Sequence, residues 1–331
     1  GIIIQKYIVI HEKYAWSQDG IDIGNIHPIG TICHELGHVL GLPDLYDTSG
    51  NGAAGIGLWG LMGSGNYQRQ TSPAYMSAWS RYRLGFIYPT IIGNTMNGEE
   101  IIFPSEIGEF EYIAMILPMD NYMPQEYLII ENRQKLGSDQ YLKESGLLVW
   151  HIDETITSMY PAMNLVNVDP DFYGVNLLQA DGEGDLYSAN CNNSYFCSDS
   201  KDPFPGSSNI TEMINPGTYG YDRDADGKIE SGIDSNIEIT NIIVDGDANI
   251  TFRVSNPNIK GDIIGYDEGG YEGFAFEDGS SIEWAGIRFT SPGNVLFSGV
   301  KTVFPSTHAS SNLTYTICIW HGWSDNKPVE L

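Results

Sequence analysis

The stretch that most constrains this chain is Thr31 to Asp47, which reads TICHELGHVLGLPDLYD. His34 and His38 stand four residues apart. On an α-helix, residues i and i+4 lie on one face a turn apart, so both imidazoles can be aimed at one point. The pattern predicts a helix from about Pro28 to Leu40, with Pro28 near its first turn and Gly41 just past its end. Gly41 permits a sharp reversal because it adopts positive φ without a Cβ clash. Pro43 stiffens the return, and Asp44 comes back towards the histidines six residues after His38. An apolar face of Ile29, Ile32, Leu36 and Val39 is expected to point away from them.

That arrangement is the H-E-x-x-H pattern, which suits zinc. Zinc lowers the pKa of a bound water to about 7, and a glutamate that reaches the water without ligating the ion takes its proton. Here Glu35 is that glutamate, His34 and His38 are two ligands, and Asp44 supplies a third, oxygen ligand. A fourth position stays open for water, as catalysis requires. A core helix with partnered histidines would explain the pair alone. It would not explain a glycine and an acid following in register.

Helical periodicity is confined to the first quarter of the 331 residues. A second helix is expected over Pro73–Leu84, with Ser72 as N-cap, Gly85 as stop, and Tyr75, Trp79 and Tyr82 on its apolar face. Beyond Gly85 come short apolar or alternating runs cut by Gly, Pro, Asn and Asp. Expected strands are Glu100–Phe103, Tyr112–Leu117, Glu126–Glu131, Leu147–Ile152, Val175–Leu178, Ile237–Ile242 and Ile250–Val254, spacing that suits a β-sandwich. Ser255–Asn258 reads as a linker. A second small sandwich should follow it, with strands at Ile282–Phe289, Val295–Phe297, Thr302–Phe304 and Tyr315–Trp320.

Composition narrows the partners. Asp and Glu total 43 against 16 Lys and Arg, a formal charge of -27. That charge repels nucleic acid and anionic membranes, which excludes a phosphate-backbone partner. No apolar run approaches the roughly eighteen residues of a membrane span. The chain opens on Gly1 with no visible signal peptide and is expected to be a processed piece of something longer.

Beyond HELGHVLGLPD, the segments LPDLYD, GLWGLMGSGNY, EYLIIENRQ, GLLVWHID, LLQADGEGDL and DPFPG belong to one pattern. The sequence resembles the M6 family, the immune inhibitor A type of secreted bacterial metalloendopeptidase, with Asp in place of the usual third His of metzincin-like peptidases. The resemblance spans Gly1 to about Val254. It implies zinc at His34, His38 and Asp44, with Glu35 as general base. It further implies a Met-turn methionine at Met62 beneath the zinc, and an assisting Tyr67 that hydrogen-bonds the substrate carbonyl. The family also carries a sizeable N-terminal lobe before the zinc helix, whereas 33 residues precede His34 here. The lobe is therefore expected to be mostly absent from this chain, which leaves its own activity open.

Other residues attract weaker readings. Asp222, Asp224 and Asp226 alternate before Gly227, as an EF-type calcium loop begins, although position 12 is Ile233. Asp47 and the Thr48–Gly57 loop invite the same question. Cys191 and Cys197 flank a short polar loop and are spaced for a local disulfide, while Cys33 and Cys318 read as free buried thiols. His151 reads as a packed strand histidine with a carboxylate neighbour.

The expected architecture is α+β: a truncated zincin-like catalytic domain over 1–86, a β-sandwich over 87–256 and a C-terminal β-sandwich module over 257–331. The expected function is a secreted zinc endopeptidase acting on proteins or peptides, with glycan or protein contact through the last module. The alternative is a non-catalytic extracellular binding or adhesion protein with a degenerate protease remnant, against which the intact Glu35 argues.

Overall fold

The computed structural model describes residues 8–13, 24–50, 52–87, 89–92, 96–104, 114–118, 126–159, 164–187, 197–207, 209–213, 219–223, 229–257, 274–277, 283–286, 323–324 and 327–328. Its helices are α1 (Ile29–Leu40), α2 (Ala78–Arg83) and α3 (Glu154–Met159). Its first ten strands are β1 (Thr90–Ile91), β2 (Glu100–Phe103), β3 (Ala114–Pro118), β4 (Glu126–Arg133), β5 (Gly146–Asp153), β6 (Val175–Leu177), β7 (Tyr219–Arg223), β8 (Ile229–Asp234), β9 (Glu238–Val244) and β10 (Ile250–Ser255). Contacts divide the chain into a unit over Gly1–Gly270 and a second over Tyr271–Leu331.

A mixed sheet with strand order β1-β3-β4-β5-β6 organises the first unit. Strands β1 and β3 run parallel, and the other neighbours are antiparallel. Every residue of β5 is buried, and so is all of β4 after Glu126. Successive side chains of a strand point to opposite faces, so two apolar faces need two covers. On one face Tyr127, Ile129, Leu148, Trp150 and Ile152 pack with Leu45, Trp59, Met62 and Trp79. On the other, Leu128, Ile130, Leu147 and Val149 pack with Ile101, Phe103, Ile239, Ile250 and Phe252 of the antiparallel sheet β2-β10-β9.

Over the span 87–256, where a sandwich is expected, a five-stranded sheet packs against a three-stranded one. The larger sheet also buries its second face against residues from the first 86, so no core boundary falls there. The stretch expected as a linker at 255–258 is anchored at Asn256, which is buried. Its N–H donates to Asn97 Oδ1 at 2.8 Å, and its carbonyl accepts from Asn97 Nδ2 at 3.0 Å. In the second unit two hairpins are described, Phe274–Glu277 with Glu283–Gly286 and Trp323–Ser324 with Lys327–Pro328. The other strands expected there lie outside the described residues.

A buried charge network joins the sheet to the segment beneath the histidines. Glu131 Oε1 accepts from Trp150 Nε1 at 2.7 Å, Ala78 N at 3.2 Å and Arg133 Nη1 at 3.3 Å. Its other oxygen pairs with Arg81. Arg133 also donates to Asp139 Oδ2 at 2.9 Å through Nε and to the Trp59 carbonyl at 3.2 Å. Asp139 Oδ1 in turn accepts from Tyr75 N at 2.8 Å.

This network explains why the second helix begins at Ala78 and not at Pro73. Tyr75 is held in the connecting segment by Asp139, while its carbonyl accepts from Leu61 N at 3.0 Å. The N-cap is Ser77, whose hydroxyl accepts from Ser80 N at 3.3 Å, and Ser72 donates instead to the Ser138 carbonyl. Of the expected apolar face, Trp79 is fully buried, whereas Tyr75 is exposed.

Arg133→Ala should lower the unfolding free energy by about 3–5 kcal/mol, because it strands Glu131 and Asp139 in the core without their shared cation. Urea denaturation monitored by tryptophan fluorescence measures this. A second test concerns Asp202, which is buried and accepts from Trp59 Nε1 at 2.8 Å and Gln179 Nε2 at 2.7 Å. Burial pushes its carboxyl up to about 7 from the ordinary 3.8, against these hydrogen bonds. The native state then keeps a proton that the unfolded chain has lost. Stability from this group is complete below about pH 4 and falls as pH rises through 7, by roughly 1.4 kcal/mol per unit. Urea midpoints in chelator should show that decline, and Asp202→Asn should flatten it.

Candidate metal centre

The helix that carries His34 and His38 forms as expected, with two refinements. Pro28, extended at ψ 161°, is the N-cap, so the helix starts at Ile29. Gly41 ends it in the left-handed region at φ 105°, and its N–H reaches back to Gly37 and His38 carbonyls. The expected apolar face does point away from the histidines, yet Ile29 and Leu36 are exposed. What α1 buries is Gly30, His34 and Gly37. A Cβ at Gly30 would lie 2.3 Å from the Asn66 carbonyl oxygen, and one at Gly37 would lie 2.4 Å from Met62 Sδ. These glycines let the helix seat directly on the segment that carries Met62, itself fully buried. Met62, the residue that the resemblance makes a Met-turn methionine, thus packs against α1 at Gly37.

His34 is buried and His38 partly so. His34 Nδ1 bonds to the Leu61 carbonyl at 2.8 Å, and His38 Nδ1 to the Leu42 carbonyl at 2.9 Å. A carbonyl can only accept, so each Nδ1 carries a proton and Nε2 is the ring nitrogen left to face the site. Both Nε2 atoms face Asp44, whose Oδ1 lies 3.0 Å from His34 Nε2 and 3.3 Å from His38 Nε2. The three ligand atoms all fall within 4.8 Å of one another. Among the described residues this is the one His/Cys/Asp/Glu group so arranged. Two imidazole nitrogens and one carboxylate oxygen, with the second ring nitrogens already engaged, fit a divalent transition metal, zinc included.

Electrostatics follows from this crowding. Burial pushes the Asp44 carboxyl up, but the hydrogen bonds from His34 and His38 outweigh it and hold the group below the usual carboxylate range. The hydrogen bond to Asp44 raises His38 in turn, against its partial burial.

A cleft of about 280 Å³ opens beside the histidines, lined by Thr31, His34, Glu35, Tyr46, Gly63, Ser64, Asn66 and Tyr67. Glu35 and Tyr67, the expected catalytic pair, thus share it. Tyr67 closes a short 3-10 turn, Gly65–Tyr67, and is exposed at 44%.

Two residues at the site went unread in the sequence. Tyr46 stacks on His34 with ring centres 6.4 Å apart, hydrogen-bonds Asp44, and has its phenol pushed up first by burial and then by the Asp44 charge. Its position two residues after Asp44 was the available signal. Asn164 holds Asp44 from far along the chain. Its Oδ1 accepts from Asp44 N at 2.6 Å, and its Nδ2 donates to Asp44 Oδ2. No motif marks it.

The remaining candidates stand apart. Asp47 is buried, but its oxygens serve its own loop, accepting from Ser49 N at 2.7 Å and Gly52 N at 3.1 Å. His151 bonds Glu126 at 2.9 Å within the sheet, and Asp153 caps α3 through Thr155 N and Ile156 N. Asp222 sits in a hairpin, paired with Ser231 in the stretch that an EF-type loop would occupy. Asp224 and Asp226 lie outside the described residues. Cys197 is disulfide-bonded, while the expected partner Cys191 also lies outside them. Cys33 is a free, partly buried thiol.

Comparisons with known proteins agree with this geometry. Residues 17–95 match the family model described as immune inhibitor A peptidase M6, catalytic domain. The pre-pro-metalloprotease PrtV of Vibrio cholerae serotype O1, in strains M66-2 and ATCC 39315 / El Tor Inaba N16961, is 30% identical over 99 residues. That match covers 29% of this chain and 10% of the relative. The resemblance to the M6 metallopeptidases is shown for a segment that contains His34, Glu35, His38 and Asp44.

Proposed function

We propose that this chain carries the zinc-binding segment of an exported endopeptidase of the M6 type. One observation carries the reading: two histidines with their tautomers set by backbone carbonyls aim Nε2 at the same carboxylate oxygen. His34, His38 and Asp44 would hold the ion. Zinc, when bound, supplies a Lewis acid that polarises a scissile carbonyl and acidifies the attacking water.

The chain's own residues do the rest. Glu35 follows the first ligand on the helix and lines the cleft, where its carboxylate takes the proton of the attacking water and returns it to the leaving nitrogen. The hydroxyl of Tyr67, across the same cleft, donates to the carbonyl oxygen as negative charge develops there. The substrates are proteins or peptides, in keeping with the M6 match and with an acidic surface that repels phosphate polymers. The disulfide at Cys197 suits an exported protein, since such bonds persist in oxidising compartments.

The test is cleavage of quenched-fluorescence casein by the purified chain and by Glu35→Gln at equal zinc content. Cleavage that needs zinc, and that falls in the variant by at least about a hundredfold, is the expected result. Cleavage that survives Glu35→Gln removes Glu35 from the mechanism. Stoichiometric zinc with no cleavage by either protein keeps the metal centre and removes the peptidase reading for this chain.

A further inference from the structure

Building on the zinc reading above, we propose that Asn164 is a positioning residue for the metal centre, which sets the affinity for zinc by holding Asp44 at both its backbone and its carboxylate. A carboxylate ligand on a short side chain can turn about two bonds, and each wrong rotamer withdraws its oxygen from the ion. Asn164 removes that freedom. Its Oδ1 accepts from Asp44 N at 2.6 Å, while its Nδ2 donates to Asp44 Oδ2. With Oδ2 taken, Oδ1 is the oxygen turned to His34 and His38, at 3.0 and 3.3 Å.

The clamp is itself anchored. Asn164 sits in the left-handed region at φ 57°, a conformation that Asn and Asp tolerate better than other side chains. Thr48 Oγ1 donates to its carbonyl at 2.7 Å. Three residues on, Asn167 donates to the Leu45 carbonyl at 3.3 Å and exchanges two hydrogen bonds with Val175 of β6, at 2.7 and 3.1 Å. The ligand loop is therefore strapped to the central sheet by two asparagines. Only an amide supplies both the acceptor and the donor at this position. A carboxylate keeps the acceptor and sets a second negative charge against Oδ2, and glycine keeps the backbone conformation alone. Outer partners of metal ligands typically change affinity by about ten- to a hundredfold.

The test is the zinc dissociation constant, from competition with a chromophoric chelator, for the whole chain and for Asn164→Gly, Asn164→Asp and Asp44→Ala. Unfolding midpoints of the metal-free proteins are measured alongside in EDTA. Both Asn164 variants should bind zinc about ten- to a hundredfold more weakly, with metal-free midpoints close to that of the unaltered chain. The cobalt-substituted proteins should show displaced visible absorption bands, a readout independent of peptidase activity. Should Asn164→Gly fail to fold, Asn164→Asp decides. Unchanged affinity in the Asn164 variants, with Asp44→Ala strongly weakened, overturns the clamp and leaves the zinc site standing. Affinity loss matched by an equal loss of metal-free stability in both variants assigns Asn164 to the fold alone and also overturns it. An unaltered chain that binds no zinc overturns the metal reading and this inference with it.

Discussion

The buried carboxylate of Glu131 ties the segment under the histidines to the central sheet. A carboxylate fully removed from water is tolerable only with charge partners and several donors, and Glu131 has Arg81, Arg133, the Trp150 indole and the Ala78 amide. Those donors come from β4, β5 and α2, so one side chain fixes where three elements meet. Through Arg133 the same network reaches the Trp59 carbonyl, three residues before Met62. The floor under His34 and His38 is thus referenced to the central sheet by ionic hydrogen bonds, which are directional in a way that apolar packing is not.

That sheet also resolves an apparent conflict in the molecule. The β4 and β5 segments read EYLIIENR and GLLVWHID, nearly continuous apolar runs with charges embedded in them. A sheet with one wet face would show clean alternation. The runs are continuous because both faces are covered, one by the site-bearing segment and the other by the β2-β10-β9 sheet. The embedded Glu131 and Arg133 then become partners in a buried lattice instead of solvated side chains.

How much of this was legible follows from the range of each interaction. The helix, its glycine stop and the return of Asp44 lie within a few residues of one another, and a 3.6-residue period with a glycine at the end expresses them directly. Strands β2 to β6, β9 and β10 were legible too, within a residue or two, because alternation and turn residues are local, whereas β1, β7 and β8 were not read. The start of α2 was not, because Asp139 and Leu61 decide it from outside the segment. The face that α1 buries was misleading for a related reason. An apolar stripe usually marks the core side, but here close approach of backbone decides, and glycine marks it. Asn164 left no trace at all, since its role depends on a contact across 120 positions.

The carbonyls that set the histidine tautomers carry a consequence for how the site comes into being. Leu42 is near in sequence to His38, but Leu61 lies 27 positions from His34 and Asn164 lies 120 from Asp44. Closing such loops costs entropy that only a nearly complete fold repays. A peptide ending at Asp47 would contain His34, His38 and Asp44 and still leave the His34 tautomer unset and the Asp44 carboxylate free to swing. On the proposed reading, high-affinity metal capture would therefore be a late event in folding, and the ion would act as an inspector of a finished structure more than as a nucleus for building it.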